Sequence, residues 1–556
     1  MSVRSAETQP REPARHPTAP GVAVALALLA QVLLPFAAAI GQGCVVPNAT
    51  PGATEFAAGS ISEIRVQTLP PDLPGRLSWL TDRLHTRTRP GTIRHFLRFA
   101  TGDTTDSLVF AESVRTLRHL DFLADASVTS APCSSNGPSI VTVTTRDTWS
   151  VRPTIKLPNG TGTSLLGIEE GNILGTGRAA RAYVRSMDGR ISLGLSYRDP
   201  WFAGTNAQLL LSHNVFRDGG EWLGILQSRE RSVFDKWRGE LSVGQSTRLA
   251  PTPVSDTVRR AFASLLVARR VHVSPTGVTS VILGAEAQRT FLAAPLGALV
   301  VGPTTVRREF AGLDLGMSRR TALFRNTTGL LPGNRGADLP SGFEGEIVLG
   351  VGRDVASGLA MLHPSLWLGR IWRPHGGSAL AGNLWASGYL SNGQWSAATA
   401  RASAVLLQPA RAGMWTARIS ADLLADPDPD IRALAGVDYA VGVFPRRGLA
   451  ESALAFSAER SVRLTGTSHG YRLDAAAFLL GSARWDPAAP TDAAMYAGIP
   501  GVGLRLAPTR IGQSTIRLDF GLPLWRSSGI RGRPFLAMNF APWIESGRRR
   551  DGQHAR

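Results

Sequence analysis

Gly466-Thr467-Ser468-His469-Gly470 has the G-x-S-x-G spacing of a nucleophile elbow. Such an elbow raises a serine oxygen above a sheet on a sharp strand-to-helix turn. Here strand-like residues flank the motif on both sides and no helix follows, so Ser468 reads as part of a turn. Gly175-Thr176-Gly177 starts like a dinucleotide-binding loop, but it lacks the last glycine and the βαβ setting. The ten histidines show no metal-ligand pairing, and Cys44 and Cys133 are too distant in sequence for a zinc knuckle. Glu169 and Glu170 read as solvated or lumen-facing charges rather than a catalytic pair. No enzymatic constellation emerges, and no cofactor is implied.

The chemistry that remains is charge. The 556 residues carry a formal net charge of +18, and arginine supplies nearly all of the positive charge, the lysines being Lys156 and Lys236. A pI near 11.2 suggests nucleic acid or an anionic membrane surface. The arginines, however, stand singly along alternating segments, and the one dense cluster is Arg548, Arg549 and Arg550. A nucleic-acid interface concentrates its charge on one face, so no nucleic-acid partner is expected. Scattered arginines suit a barrel lumen, or loops facing anionic lipid. Arg198, Arg505, Arg517 and Asp519 are the candidate lumen-facing charges, because an arginine on a barrel's lipid face costs about 2–4 kcal/mol at the membrane midplane.

Several elements must position these charges. Arg4, Arg11 and Arg15 precede an apolar run over residues 21–40, and small residues at Ala37, Ala38, Ala39 and Gly41 follow within it. Residues 1–41 therefore read as an export signal; a single membrane anchor is the alternative. Cys44 and Cys133 then lie in an oxidising compartment, where a disulfide between them is possible. Residues 42–57 read as a linker rich in Pro, Ala and Thr.

Residues 58–150 have the pattern of a small α+β domain. Ile61, Ile64 and Val66 form a strand-like run. Helices are expected over 92–99 and 107–120, the second with Ala111, Val114, Leu117 and Leu120 on one face. Strands are expected over 126–129 and 139–145.

From about residue 155 helical periodicity disappears and alternation runs almost to the end. Ile191, Leu193, Leu195 and Tyr197 alternate with Ser192, Gly194, Ser196 and Arg198; Ile516, Leu518, Phe520 and Leu522 alternate with Arg517, Asp519 and Gly521. Successive strand residues face opposite sides, so one face is apolar and the other polar. A soluble sandwich and a membrane barrel share that pattern. Export, nearly 400 residues without a domain break, and alternating short and long connections favour the barrel. At about 24 residues per strand and connection, the count is about 16 strands. The fold class expected is mainly β: a large antiparallel transmembrane β-barrel over 151–543 behind one small α+β domain, with a basic tail over 544–556.

Several segments resemble one known family. TGDTTDSLVFAESVRTLRHLDFLADASV (101–128) looks like a POTRA domain, with its Gly102-Asp103 turn, Glu112-Ser113, Leu117-Arg118 and the run 120–126; TTRDTWS (144–150) resembles its last strand. GIEEGNILGTG (167–177), YRDPWFAGT (197–205), FLLGSARW (478–485), GVGLRLAPTRIGQSTIRLDFGLPL (501–524) and RPFLAMNFAPW (533–543) resemble, in order, the barrel segments of the bacterial surface-antigen family of BamA, TamA and two-partner secretion transporters. The likeness spans about residues 60–543.

The resemblance implies a bacterial outer-membrane barrel with its N-terminal domain in the periplasm. Its expected partners are outer-membrane lipid and unfolded client polypeptides. It implies help in inserting or translocating other proteins, with clients added as a strand at a sheet edge near Ser139 to Thr145 or Ile61 to Val66. It also implies a barrel seam between residues 163–168 and the closing strand. Leu536, Met538, Phe540 and Trp543 would carry the closing-strand signal. The family's Arg-Gly-aromatic loop motif would fall at 439–445, where Gly442, Phe444 and Pro445 stand with no arginine before Gly442. That departure keeps a passive pore or surface receptor on the same scaffold as the alternative.

Overall fold

The protein's structure is a computed structural model. It describes residues 59–71, 85–132, 138–156, 164–187, 190–216, 219–228, 232, 234–249, 257–293, 305–327, 337–373, 377–425, 452–465, 471–485, 495–508, 514–526 and 534–542. The expected export signal, Cys44, Cys133 and the basic tail lie outside the described residues.

The leading domain is built as strand, helix, helix, strand, strand. Strand β1 (Ile61–Leu69) is followed by α1 (Pro90–His95) and α2 (Ser107–Arg118), then β2 (Leu123–Pro132) and β3 (Ser139–Asp147). Pro90, whose missing N–H costs nothing in a first turn, opens α1. The helix expected over 92–99 is shorter, because the chain leaves it at Phe96 to bury Phe96, Leu97 and Phe99. Asp106 caps α2 by accepting from the Leu108 N–H at 2.8 Å. Phe110, Ser113 and Leu117 recur on its buried face. They meet Ile61, Phe96, Leu123, Val141 and Val143 in one core. The sheet order is β1-β3-β2, with β1 parallel and β2 antiparallel to β3. β3 is therefore the central strand, and the expectation of a free edge at Ser139 to Thr145 is corrected: both of its sides are occupied. Among the described residues the outer edges belong to β1 and β2, and the start of the β1 edge is bonded to Gly102 and Asp103.

The rest is a barrel of antiparallel strands. They are β4 (Val151–Lys156), β5 (Ser164–Glu170), β6 (Ala179–Met187), β7 (Arg190–Asp199), β8 (Ala207–Phe216), β9 (Gly219–Ser228), β10 (Trp237–Leu249), β11 (Thr257–Ser274), β12 (Gly277–Ala293) and β13 (Thr305–Thr321). A side hairpin of β14 (Phe324–Thr327) and β15 (Ala337–Pro340) interrupts the series. It resumes with β16 (Gly342–Asp354), β17 (Ala360–Trp372), β18 (Ala379–Ser391), β19 (Gln394–Ala410), β20 (Gly413–Ala425), β21 (Ser452–Arg463), β22 (Tyr471–Trp485), β23 (Met495–Pro508), β24 (Ser514–Gly521), β25 (Trp525–Arg526) and β26 (Phe535–Pro542). β24 and β25 both lie along β23 and act as one interrupted strand. The described residues thus form a nearly closed barrel of 20 strands, not about 16. The count rose because several connections are two-residue turns, at 275–276, 392–393 and 411–412, which shortens the repeat.

The alternation has a plain consequence. Leu283, Leu313, Leu315, Met317, Ile347, Val502, Leu504 and Phe520 are exposed on the outside, whereas Ile282, Asp314, Val348 and Arg505 are buried on the inside. An unbroken outer band of apolar residues is what a lipid environment requires of a barrel. Among the described residues no helix is long and apolar enough to cross a membrane. β11, β12, β13 and β19 are 17 or 18 residues long, well beyond the roughly 9–11 that span a bilayer at a tilt. β4, β5, β24 and β26 have 6 to 8 residues.

Candidate functional site: the barrel seam and its flanks

The barrel closes where β26 meets β4, and among the described residues the only registered pair there is Asn539 with Lys156. On its other side β26 is fully laddered to β24, from Ser514↔Pro542 to Gly521↔Phe535. β4 is likewise laddered to β5 from Val151↔Glu170 to Lys156↔Leu165. Each seam strand therefore has one saturated edge and one nearly bare edge. β4 also contains the exposed Pro153, which has no N–H and is tolerated in edge strands. The first barrel strand is thus β4. Of residues 163–168, expected beside the seam, the described 164–168 belong instead to the second strand, because Arg152, Pro153 and Lys156 disguise the alternation of β4.

Beside the seam, inside the barrel, three expected charges converge on a fourth. The Arg505 guanidinium, 1% exposed, forks onto Glu459 at 3.0 and 2.7 Å. Arg517 donates to the same Glu459 oxygen at 2.8 Å. Asp519 closes the ring by accepting from Arg505 and by lying 3.4 Å from Arg517. The four residues come from β21, β23 and β24. Arg505, Arg517 and Asp519 fall on the polar face of alternating strands. Glu459 carried no such signal, since β21 (SALAFSAERSVR) loses strict alternation at its polar end. Bidentate pairing of this kind is strong and directional. On β22, Arg472 and Asp474 form a further buried pair at 2.8 Å.

Arg198 goes elsewhere. It leaves the barrel mouth and pairs with Asp121 of the leading domain. It belongs to a docking surface that sequence reasoning missed. Arg98 pairs with Asp235 at 2.9 Å, Arg118 lies 3.9 Å from Asp338, and the Arg115 guanidinium sits 3.8 Å over the Phe324 ring. At the centre, buried Asp147 accepts from the Thr88 N–H at 2.8 Å and its hydroxyl at 2.7 Å, and lies 2.9 Å from His85 Nε2. The Asn172 side chain donates to Thr88 Oγ1 at 2.8 Å and accepts from the Gly177 N–H at 2.7 Å. Asn172 thereby ties the β5–β6 turn to the domain.

That turn holds Gly175-Thr176-Gly177, the triplet with a dinucleotide-loop look. Both glycines have φ of +73°; a Cβ on Gly175 would lie 2.3 Å from the Arg87 carbonyl oxygen, and one on Gly177 would lie 2.7 Å from the Phe122 ring. The glycines serve contact with the domain. Trp201 adds its indole N–H to the Thr176 carbonyl at 2.8 Å. Glu169 pairs with Arg152 at 2.7 Å, and Glu170 accepts from Ser150 at 3.1 Å and the Asn172 N–H at 2.8 Å. The links from Thr88 to Asp147 and to Asn172 span 59 and 84 residues in sequence, so no local pattern announces them. On β1, the Arg65 guanidinium bonded to Glu63 at 3.0 Å holds that carboxyl below its ordinary range.

Gly442, Phe444, Pro445, Ser468 and Trp543 lie outside the described residues. Leu536 is exposed on β26 and Met538 half-buried; Phe540 pairs with Ile516 in the ladder.

No family model and no curated protein matches the chain. Among solved structures it is similar to CdiB from Acinetobacter baumannii, at 15% identity over 87% of this chain and 74% of that one, with a TM-score of 0.41. It is also similar to BamA from Haemophilus ducreyi lacking POTRA domains 1–3, at 12% identity over 86% and 84%, with a TM-score of 0.33. A third similarity is to the siderophore receptor PirA from Pseudomonas aeruginosa, at 10% identity over 80% and 90%, with a TM-score of 0.32.

Proposed function

We propose that this chain is an outer-membrane barrel that helps other polypeptides enter or cross that membrane, with its POTRA-like leading domain in the periplasm. One observation carries the reading: among the described residues, the barrel is complete except along β26 and β4, where one pair holds two strands. A backbone hydrogen bond contributes on the order of 1 kcal/mol net, so parting this seam costs little beside parting any other neighbours. Bare strand edges in lipid are costly, because no water satisfies them. A client segment in extended form would satisfy the edge of β26 or β4 by strand addition. The reaction is an exchange of hydrogen bonds, with no covalent step. The outer edge of β2, and that of β1 beyond Ile61, would supply a first place for such a segment in the periplasm.

The test is a reversible lock. Lys156→Cys with Asn539→Cys, in a chain whose Cys44 and Cys133 are replaced by serine, would join the two seam strands on oxidation. Cells depending on this variant should lose newly assembled outer-membrane or secreted clients when oxidised and regain them on reduction. Normal client levels with a fully formed lock would remove the insertion reading and leave the passive pore or receptor.

A further inference from the structure

The inner faces of β12, β13, β17 and β18, in the wall of long strands, hold a different set of groups. Strand β12 exposes Leu283 on the outside, so Glu286 and Gln288 face inward. Phe310 and Asp314 of β13 face the same way. His363 of β17 places Nδ1 2.9 Å from Glu286 Oε2 and Nε2 3.0 Å from the Ser387 hydroxyl on β18. Tyr389 stacks on the imidazole, with centroids 4.2 Å apart and planes 11° from parallel, and its hydroxyl lies 3.1 Å from the second Glu286 oxygen. Phe310 packs edge-on against both rings. The imidazole is fixed on every side, with one nitrogen toward a carboxylate and the other toward a serine.

That order of groups is the arrangement of an activated nucleophile. With Nδ1–H donating to Glu286, Nε2 is left to accept the Ser387 proton. A hydrolytic site also needs donors for the oxyanion, commonly including the amide after the nucleophile. The sheet is broken at that point. The β17–β18 register runs from Leu362↔Leu390 to Ser365↔Ser387 and skips Gly388 and Tyr389. The β18–β19 register shifts between Ser387 and Tyr389. Facing them on β17 is Pro364, which has no N–H. A Cβ on Gly388 would lie 2.8 Å from the Ala398 Cα, so glycine permits this bulge. Gly388 thus has no registered partner in either ladder, next to the serine, and its amide is the candidate oxyanion donor.

We propose that Ser387, His363 and Glu286 form an acyl-transfer triad in the barrel wall that hydrolyses a neutral carboxylic ester. Ser387 Oγ bonds to the carbonyl carbon while its proton passes to His363 Nε2. The bond to the alcohol oxygen then breaks, and the alcohol leaves with that proton. Water attacks the acyl-serine with His363 as base, giving the carboxylic acid and restoring the serine. Glu286 holds the imidazole and stabilises its charged form. The substrate is neutral because the site is lined by both signs: Glu286 and Asp314 are diagonal neighbours on the inner face of β12 and β13, and the buried Arg308 guanidinium lies 4.4 Å over the Tyr389 ring. The triad lies toward the end of the barrel away from the leading domain, since β17 and β18 join at the domain end through Trp372 and Ala379.

The test uses the full chain in detergent, with folding verified by its heat-modifiable migration. A fluorophosphonate probe should label the folded protein on the peptide carrying Ser387, and p-nitrophenyl butyrate should be hydrolysed. S387A should abolish labelling, and H363Q should lower hydrolysis at least about 100-fold; S468A should keep both. If S387A does not fold, S387C in the chain lacking Cys44 and Cys133 preserves the shape, and should exchange fluorophosphonate for iodoacetamide reactivity. Absence of label on folded wild type, or label that persists in S387A or stays on S387C, overturns the proposal. None of these readouts depends on seam opening.

Discussion

From Thr257 to Arg270 every residue of β11 faces a partner on β12, whereas among the described residues β26 faces β4 only at Asn539. The two regions are built from the same kind of alternating strand, yet they are held by different forces. The tall wall is a backbone structure: long strands and tight turns leave few polar groups unpaired. On the seam flank, Glu459, Arg505, Arg517 and Asp519 add a side-chain clamp to the ladders of β21, β23 and β24, beside a strand edge held by one registered pair. A barrel can therefore be permanent on one side and separable on the other without any change of fold.

Substitutions that strike backbone or side chain selectively should separate the two. The largest effect is expected from Ala285→Pro, which places a proline in β12, laddered on both sides. It should prevent formation of the heat-modifiable band, while Pro153→Ala in β4 should leave that band unchanged. Next comes Arg505→Met, which strands Glu459 and Asp519 without their main partner. Breaking a buried pair costs about 3–5 kcal/mol, and this should appear as a lower unfolding temperature in detergent. If the loss were no greater than for an exposed arginine, the seam flank would not be held by its charges. Asn172→Ala removes the link between Thr88 and Gly177. It should cost about 1–3 kcal/mol and make the leading domain more sensitive to protease while the barrel stays resistant. The smallest effect, below about 1 kcal/mol, is expected for Arg198→Ala, whose partner Asp121 is half-exposed.

The sequence revealed those parts of the molecule that repeat along one strand. Period-two alternation marked the barrel and the inward side of Arg505, Arg517 and Asp519. The strand, helix, helix, strand, strand order of the leading domain followed from its helical and extended periods. Strand number was misjudged because turn length, not strand length, sets the repeat, and two-residue turns leave little trace. The partners Thr88, Asp147 and Asn172 were illegible because they meet only after domain and barrel are both formed. Ser387, His363 and Glu286 were equally hidden: they lie on three strands, 24 and 77 residues apart. A match such as G-x-S-x-G at Ser468 records chain neighbours, whereas a barrel wall brings together residues distant in sequence.

The Asn172 joint bears on how a captured segment would travel. A domain on a loose tether samples a wide volume, and whatever it holds reaches the membrane at a low effective concentration. Here the joint, the two glycines pressed beneath Arg87 and Phe122, and the ion pairs at Asp121, Asp235 and Asp338 leave the domain little angular freedom. Its free sheet edges consequently keep one bearing with respect to the barrel rim. A strand held there is aimed before it reaches the bilayer, and its handover becomes a short intramolecular step rather than a search.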